Sequence, residues 1–147
     1  MNPDVDALIK LNRDKALRTL DLVAASLSEY QAFDPAINYT PKMLEPFDAL
    51  ADRFVRAIEC CLRHFRSQEI AEFGEQSETT RNLLNRMEKL GWVSDASLWL
   101  TMRNIRNRIV HDYLPEQTAQ MYAEMSGPYG TELARLRRMI AESIDSP

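Results

Sequence analysis

Residues 47–65 read FDALADRFVRAIECCLRHF. Phe47, Leu50, Phe54, Ile58, Cys61 and Phe65 recur at spacings of three and four, the period of an α-helix with one apolar face. Pro46 suits a first-turn position, where a missing N–H costs nothing. Gly74 is a natural stop, because glycine takes the left-handed conformation that ends helices. A helix over 46–73 follows. Upstream, residues 32–46 hold Pro35, Pro41 and Pro46 among small and polar side chains, which makes them a connection. It is long for a bundle loop, and such loops are commonly mobile or functional.

The pattern continues on both sides. A first helix is expected over 4–31, with Leu17, Leu20, Ala24 and Leu27 on one stripe widened by Val23 and Tyr30. A third is expected over 78–90, with Leu83, Leu84, Met87 and Leu90 inward and Gly91 as its end. Ser94 or Asp95 can cap a fourth. Leu98, Met102, Ile105, Ile109 and Tyr113 form its stripe, and Pro115 stops it. A fifth covers 116–143. Tyr122, Met125, Tyr129, Leu133, Leu136, Ile140 and Ile144 keep one register across Gly127 and Pro128, as in a kinked helix; two shorter helices are the alternative. Five amphipathic helices without strand signal or repeat give an all-α, five-helix up-and-down bundle in one domain, 1–147.

Composition sets outer bounds. Four glycines in 147 residues argue against a turn-rich β fold. The net charge of −4 argues against a general nucleic-acid coat, but a local basic site stays open. Arg103, Arg106 and Arg108 fall within six residues, and no acid follows before Asp112; Arg135, Arg137 and Arg138 form a second cluster. Cys60 and Cys61 are adjacent on a helix and point apart, so no mutual disulfide is expected. His64 lies one turn away, but three weak ligands without a fourth make no metal site. No stretch approaches the roughly 18 apolar residues of a membrane span. A cytoplasmic location and no membrane contact are therefore expected.

One segment carries chemistry: Arg106-Asn107-Arg108-Ile109-Val110-His111-Asp112-Tyr113. Arginine is a permanent forked cation that matches phosphate oxygens. Histidine exchanges protons near neutral pH. RNA carries its own nucleophile, the 2′-OH. His111 could act as base or acid, Arg106 could stabilise the phosphorane charge, and Asn107 could orient phosphate or imidazole. Neither metal nor cofactor is needed. On an ideal helix Asn104, Asn107, Arg108 and His111 share a face, while Arg106 lies about 140° from His111. Arg106 must then curl its stem to reach that histidine, or meet the histidine of a second protomer. The bland alternative is equally physical. A helix-end histidine suits the C-terminal dipole, and arginines on an exposed face are ordinarily solvated. Glu59, on the largely apolar helix 2, is read as an ion-pair partner for Arg106 or another helix-4 arginine that holds the two helices in register.

Arg106-Asn107-x3-His111-x-Tyr113 resembles the R-x4-H-x-Y motif of the HEPN superfamily, in particular its HepT-like toxins. Trp99-Leu100-x-Met102 before it, and Arg53-Phe54 with Glu59 in helix 2, resemble the related nucleotidyltransferase substrate-binding subunits. Val55 and Leu62 depart from that branch, which often has an acid and an aromatic there. The motif-bearing core is about 46–140. The resemblance implies a helical bundle of four core helices plus one. It also implies a homodimer with both motifs near the interface, and a metal-independent endoribonuclease toxin paired with an MNT-type nucleotidyltransferase antitoxin. By carry-over Arg106 and His111 are catalytic. Asn107 is the polar residue after the arginine; the extra arginines Arg103 and Arg108 depart from the pattern and favour an anionic ligand, so the three are read as binding or orienting RNA phosphate. Tyr113 is the residue to which the partner transfers AMP. The alternative is a non-catalytic subunit that delivers substrate to a partner nucleotidyltransferase. A third, more remote, is a bundle whose basic face binds another protein.

Overall fold

In a computed structural model, which describes residues 3–112 and 114–145, every regular element is a helix. These are α1 (Pro3–Ser28), α2 (Pro41–Phe73), α3 (Thr80–Lys89), α4 (Ala96–Arg103), α5 (Ile105–His111), α6 (Pro115–Glu124) and α7 (Gly130–Asp145), with a π-helical turn at Met125–Tyr129 joining the last two. The five expected rods are thus α1, α2, α3, α4–α5 and α6–α7, in an up-and-down bundle. None of these helices is long and apolar enough to cross a membrane.

The expected stripe on α2 is the centre of the molecule. Phe47, Leu50, Phe54, Ile58, Cys61 and Phe65 are all buried. Helix α2 meets α1, α3, α4 and α5, and its Phe47 and Phe54 pack on Tyr122 and Tyr129. Phe65 packs edge-on against Trp99, whose ring centroid lies 5.3 Å away, and Trp99 is wholly enclosed. From α6–α7, the buried Tyr122, Met125, Tyr129, Leu133, Leu136 and Ile140 keep one register through the kink. The kink is located at Gly127, whose φ of −95° and ψ of −111° are not helical, beside the proline that cannot donate.

Several boundaries differ from the sequence reading. The second helix starts at Pro41, not Pro46. Thr40 caps it, accepting from the Met43 amide at 3.2 Å, and Pro41 fills the first turn. Pro46 sits inside the helix, and the carbonyl it leaves unpaired belongs to exposed Lys42, where water can serve it. The connection is correspondingly shorter, residues 29–40. Phe33 anchors it, stacking on Tyr39 at 4.7 Å and on Tyr122 at 5.8 Å. The first helix buries Ala16, Leu20 and Val23, while Ala24 is exposed. Its stripe is rotated by about one residue because α1 packs on both α2 and α7. Leu90 and Ile144 also face outward.

The fourth rod bends at Asn104, whose ψ of −9° departs from the helical value of about −42°. Met102 and Ile105 are buried on either side of the bend. Beyond it the stripe leaves the core, and Ile109 is exposed.

Two buried carboxylates fasten loops to this frame. Glu69 accepts from the Ser77 amide at 2.8 Å, from the Ser77 hydroxyl and from Arg86 at 3.1 Å, closing the turn after α2. Glu132 accepts from Trp99 Nε1 at 2.7 Å and from the Ser94 amide at 3.1 Å, holding α7 to the start of α4.

Candidate functional site

The bend at Asn104 shapes the motif region. Asp95 caps α4 by accepting from the Ser97 amide at 2.8 Å, and Glu132 fixes Trp99 one turn on. The helix then delivers Arg103 to the bend. Past it, the Asn107 amide closes on the Asn104 carbonyl at 3.0 Å, a tightened first turn of α5. The Asn107 side chain donates to Asn104 Oδ1 at 2.9 Å, so the two amides form a braced pair. Between this corner and α2 lies a pocket of about 240 Å³, lined by Glu59, Leu100, Arg103, Asn104, Arg106 and Asn107.

Three of the expected site residues therefore meet: Arg103, Arg106 and Asn107. Arg106 is largely exposed and forms a loose ion pair with Glu59, Nη1 to Oε1 3.9 Å. This is the contact across α2 and α5 that the sequence suggested for Glu59. Arg103 is exposed and has no hydrogen-bond or ion-pair partner among the described residues.

Arg108 is placed differently. Its Nε donates to Asp112 at 3.1 Å and its Nη1 to Glu124, so its guanidinium ties α5 to α6 instead of facing the pocket. Burial opposes its charge, but the bonds to Glu124 and Asp112 outweigh that and hold it above the usual arginine range. Burial pushes the Glu124 carboxyl up; Gln120, Arg108 and Tyr129 more than reverse this, and it ends below the carboxylate range.

His111 stands exposed at the last position of α5 and does not line the pocket. Within a regular α5, five residues separate it from Arg106 by about 140°. Tyr113 lies outside the described residues. Near this end of the motif Ile109, Leu114 and especially Val110, 74% exposed, face outward beside exposed His111.

Cys61 and His64 take their place in the core, and Cys60 is half-buried beside them. Cys61 is fully enclosed, and burial, then Cys60, push its thiol upward. Burial, then the charge of Arg13, lower the pKa of His64 to about 4, so it is neutral at physiological pH. Among the described residues no three His, Cys, Asp or Glu side chains are placed to hold a metal ion.

A second cleft, of about 870 Å³, lies between the end of α1, the 29–40 connection and the start of α2. Tyr30, Tyr39, Phe47 and Arg53 contribute to its walls. The proline-rich connection was the sequence signal for it; Arg53, Phe47 and Tyr30 were named for the family resemblance or the apolar stripes, not as cleft walls. Arg53 donates at 2.8 Å to Ser26 and at 3.3 Å to the Leu22 carbonyl, bracing α1 against α2. Asn104, placed on the candidate face by helix geometry, lines the pocket, while Leu100 was not read as a pocket residue.

Comparison of the chain with protein families, with curated proteins and with solved structures returns no match in any of the three.

Proposed function

We propose that the chain is a HEPN-type, HepT-like toxin: a metal-independent endoribonuclease acting through Arg106 and His111. Its partner would be an MNT-type nucleotidyltransferase antitoxin that neutralises it by transferring AMP to Tyr113. The observation that carries this reading is the α4–α5 corner. On a chain of net charge −4, it gathers Arg103, Arg106, Asn104 and Asn107 in one pocket, with exposed His111 on the same short helix. The motif resemblance supplies the rest.

The chemistry balances without a cofactor. A base takes the proton of the RNA 2′-OH, and that oxygen attacks the adjacent phosphorus. Negative charge builds on the phosphorane oxygens, where a guanidinium stabilises it. The 5′-oxygen leaves with a proton from an acid, giving a 2′,3′-cyclic phosphate and a 5′-hydroxyl. His111 serves as acid or base and Arg106 as the charge stabiliser. Arg103 binds a flanking phosphate, and Asn107, braced by Asn104, orients the reacting group. A homodimer completes the set. The apolar corner of Ile109, Val110 and Leu114 suits burial against a second copy. Pairing there would bring His111 of one protomer toward Arg106 of the other.

The test is incubation of the purified, unmodified protein with total RNA in EDTA, beside Arg106→Ala and His111→Ala. Cleavage by the parent alone is expected. Cleavage by His111→Ala at the parent rate would refute the assignment. A second reading, a non-catalytic substrate-binding subunit, is favoured by the 870 Å³ cleft, which is far larger than the motif pocket. Folded, unmodified protein that leaves RNA intact would select it.

A further inference from the structure

The 240 Å³ pocket beside Arg106 has two unlike walls. On the α2 side stands Glu59, whose side chain is 36% exposed and whose nearest cation is Arg106, 3.9 Å away. That distance is too long for a hydrogen bond, so both carboxylate oxygens keep their accepting capacity. On the α4–α5 side, Arg103 and Arg106 supply donors at the rim. Leu100 gives an apolar patch, and the Asn104–Asn107 pair stiffens the corner. Free phosphate would meet the arginines but be repelled by Glu59. A base that carries a phosphate uses both walls. The pocket lies below the roughly 300–1,000 Å³ typical of drug-sized ligand sites, a scale that suits a single base.

We propose that this pocket reads the base on the 5′ side of the scissile phosphate, and that the base is guanine. The inference rests on the ribonuclease reading of the same site. Guanine alone among the four bases presents two adjacent donors, N1–H and N2–H, on its Watson–Crick edge. They match the two oxygens of one carboxylate. Adenine and cytosine place a ring-nitrogen acceptor there, and uracil flanks its single donor with two carbonyls, so each sets an acceptor against Glu59. An arginine plane at the rim gives the base a stacking surface. Glu59 is then the specificity residue, and Arg106 bridges the pocket and the phosphate.

The experiment is calorimetric titration of 3′-GMP, 3′-AMP, 3′-CMP and 3′-UMP into unmodified parent protein and into Glu59→Gln. The half-exposed position of Glu59 suits a glutamine, and a thermal melt verifies the fold. The parent should bind 3′-GMP at least about fivefold more tightly than the others, the least that one well-read base edge provides. Glu59→Gln should bring 3′-GMP to within about twofold of the rest. Equal affinities in the parent, no binding of any nucleotide, or a preference that survives in Glu59→Gln would each overturn the proposal. Mapping the 5′-hydroxyl ends of cleaved RNA separates the two readings. Guanine-selective binding without cleavage keeps the pocket and removes the ribonuclease. Cleavage indifferent to the preceding base removes the guanine pocket and keeps the ribonuclease.

Discussion

Replacing Glu132 by alanine should destabilise the protein by about 3–5 kcal/mol, the usual cost of breaking a buried ion pair from one side. Glu132 is 4% exposed. Its carboxylate accepts from Trp99 Nε1 at 2.7 Å, the Ser94 amide at 3.1 Å and Arg135 Nε at 2.8 Å. The three donors do not suffer equally. Arg135 is partly exposed and keeps the Trp92 carbonyl at 2.9 Å, so it finds water. The Trp99 indole is fully enclosed, away from water, and donates its N–H to Glu132. A stranded buried donor costs about 1–3 kcal/mol, and hydrogen bonds to charge contribute about 1.5–3 kcal/mol. Trp99 therefore accounts for most of the loss and Ser94 for most of the remainder. At about 2–4 °C per kcal/mol for a chain of this size, the melting temperature should fall by roughly 6–20 °C.

Urea unfolding followed by circular dichroism measures this at neutral pH, and repeating it in acid tests the cause. Burial alone would push the Glu132 carboxyl up, but Arg135, Trp99 and Ser94 hold it below the usual carboxylate range. A depressed folded-state value means the stabilisation is complete above the unfolded pKa, about 4.3 for glutamate, and fades as pH drops through the folded value. The gap between parent and Glu132→Ala should therefore narrow below about pH 4. A loss under about 1 kcal/mol at pH 7 would refute the stranded-donor account, because even one such donor costs about that much. A gap unchanged down to acid unfolding would refute the ionic part. The same variant should loosen α4 and weaken the proposed RNA cleavage, since Trp99 sits one turn before Arg103.

Three further outcomes are expected. Gly130→Ala should cost about 1–3 kcal/mol by overpacking, measured by the urea midpoint; an added Cβ would meet the Met125 carbonyl at 2.8 Å and Leu27 Cδ1 at 2.9 Å, and an unchanged midpoint would contradict this. Arg108→Ala should cost about 1 kcal/mol, in keeping with a partly exposed pair. It should speed amide exchange at the end of α5, because Asp112 and Glu124 lose their shared cation. Incubation with ATP and an MNT-type partner should add AMP to the parent and not to Tyr113→Phe, read by intact mass; a variant that gains the same mass would displace Tyr113 as the target.

The helical periodicity made the bundle legible because its apolar spacing depends only on local geometry. Phe47 to Phe65 and Tyr122 to Ile140 are buried at the expected positions. Boundaries were harder where two signals competed. Pro41 and Pro46 both fit a first turn, and the Thr40 side chain, bonded to the Met43 amide, decides between them. The bend at Asn104 had no comparable mark in the sequence. Asparagine there is compatible with an unbroken helix, and the extrapolated stripe ran on through Ile109. Arg103, Arg106 and Asn107 were found from charge and spacing. Glu59 was found because a carboxylate on a largely apolar helix face asks for a partner. Leu100 was not, because one apolar residue on an apolar helix carries no such signal.

The three motif arginines show where local pattern stops being informative. Along the sequence Arg103, Arg106 and Arg108 are equivalent positive charges. In the fold, Arg108 meets Glu124, 16 residues away on α6, and Asp112, so its charge is neutralised locally. Arg106 is held loosely by Glu59, and Arg103 has no such partner among the described residues. On an acidic chain, positive potential that a phosphate could use must come from cations not already matched by a carboxylate at hydrogen-bond distance. That condition selects Arg103 and Arg106 and sets Arg108 aside as the brace between α5 and α6. It also explains why His111 can stay exposed while its helix keeps its place: the brace begins at Arg108, one turn before it. The cations left open to an anion and the brace at this corner are thus different arginines of a single six-residue cluster.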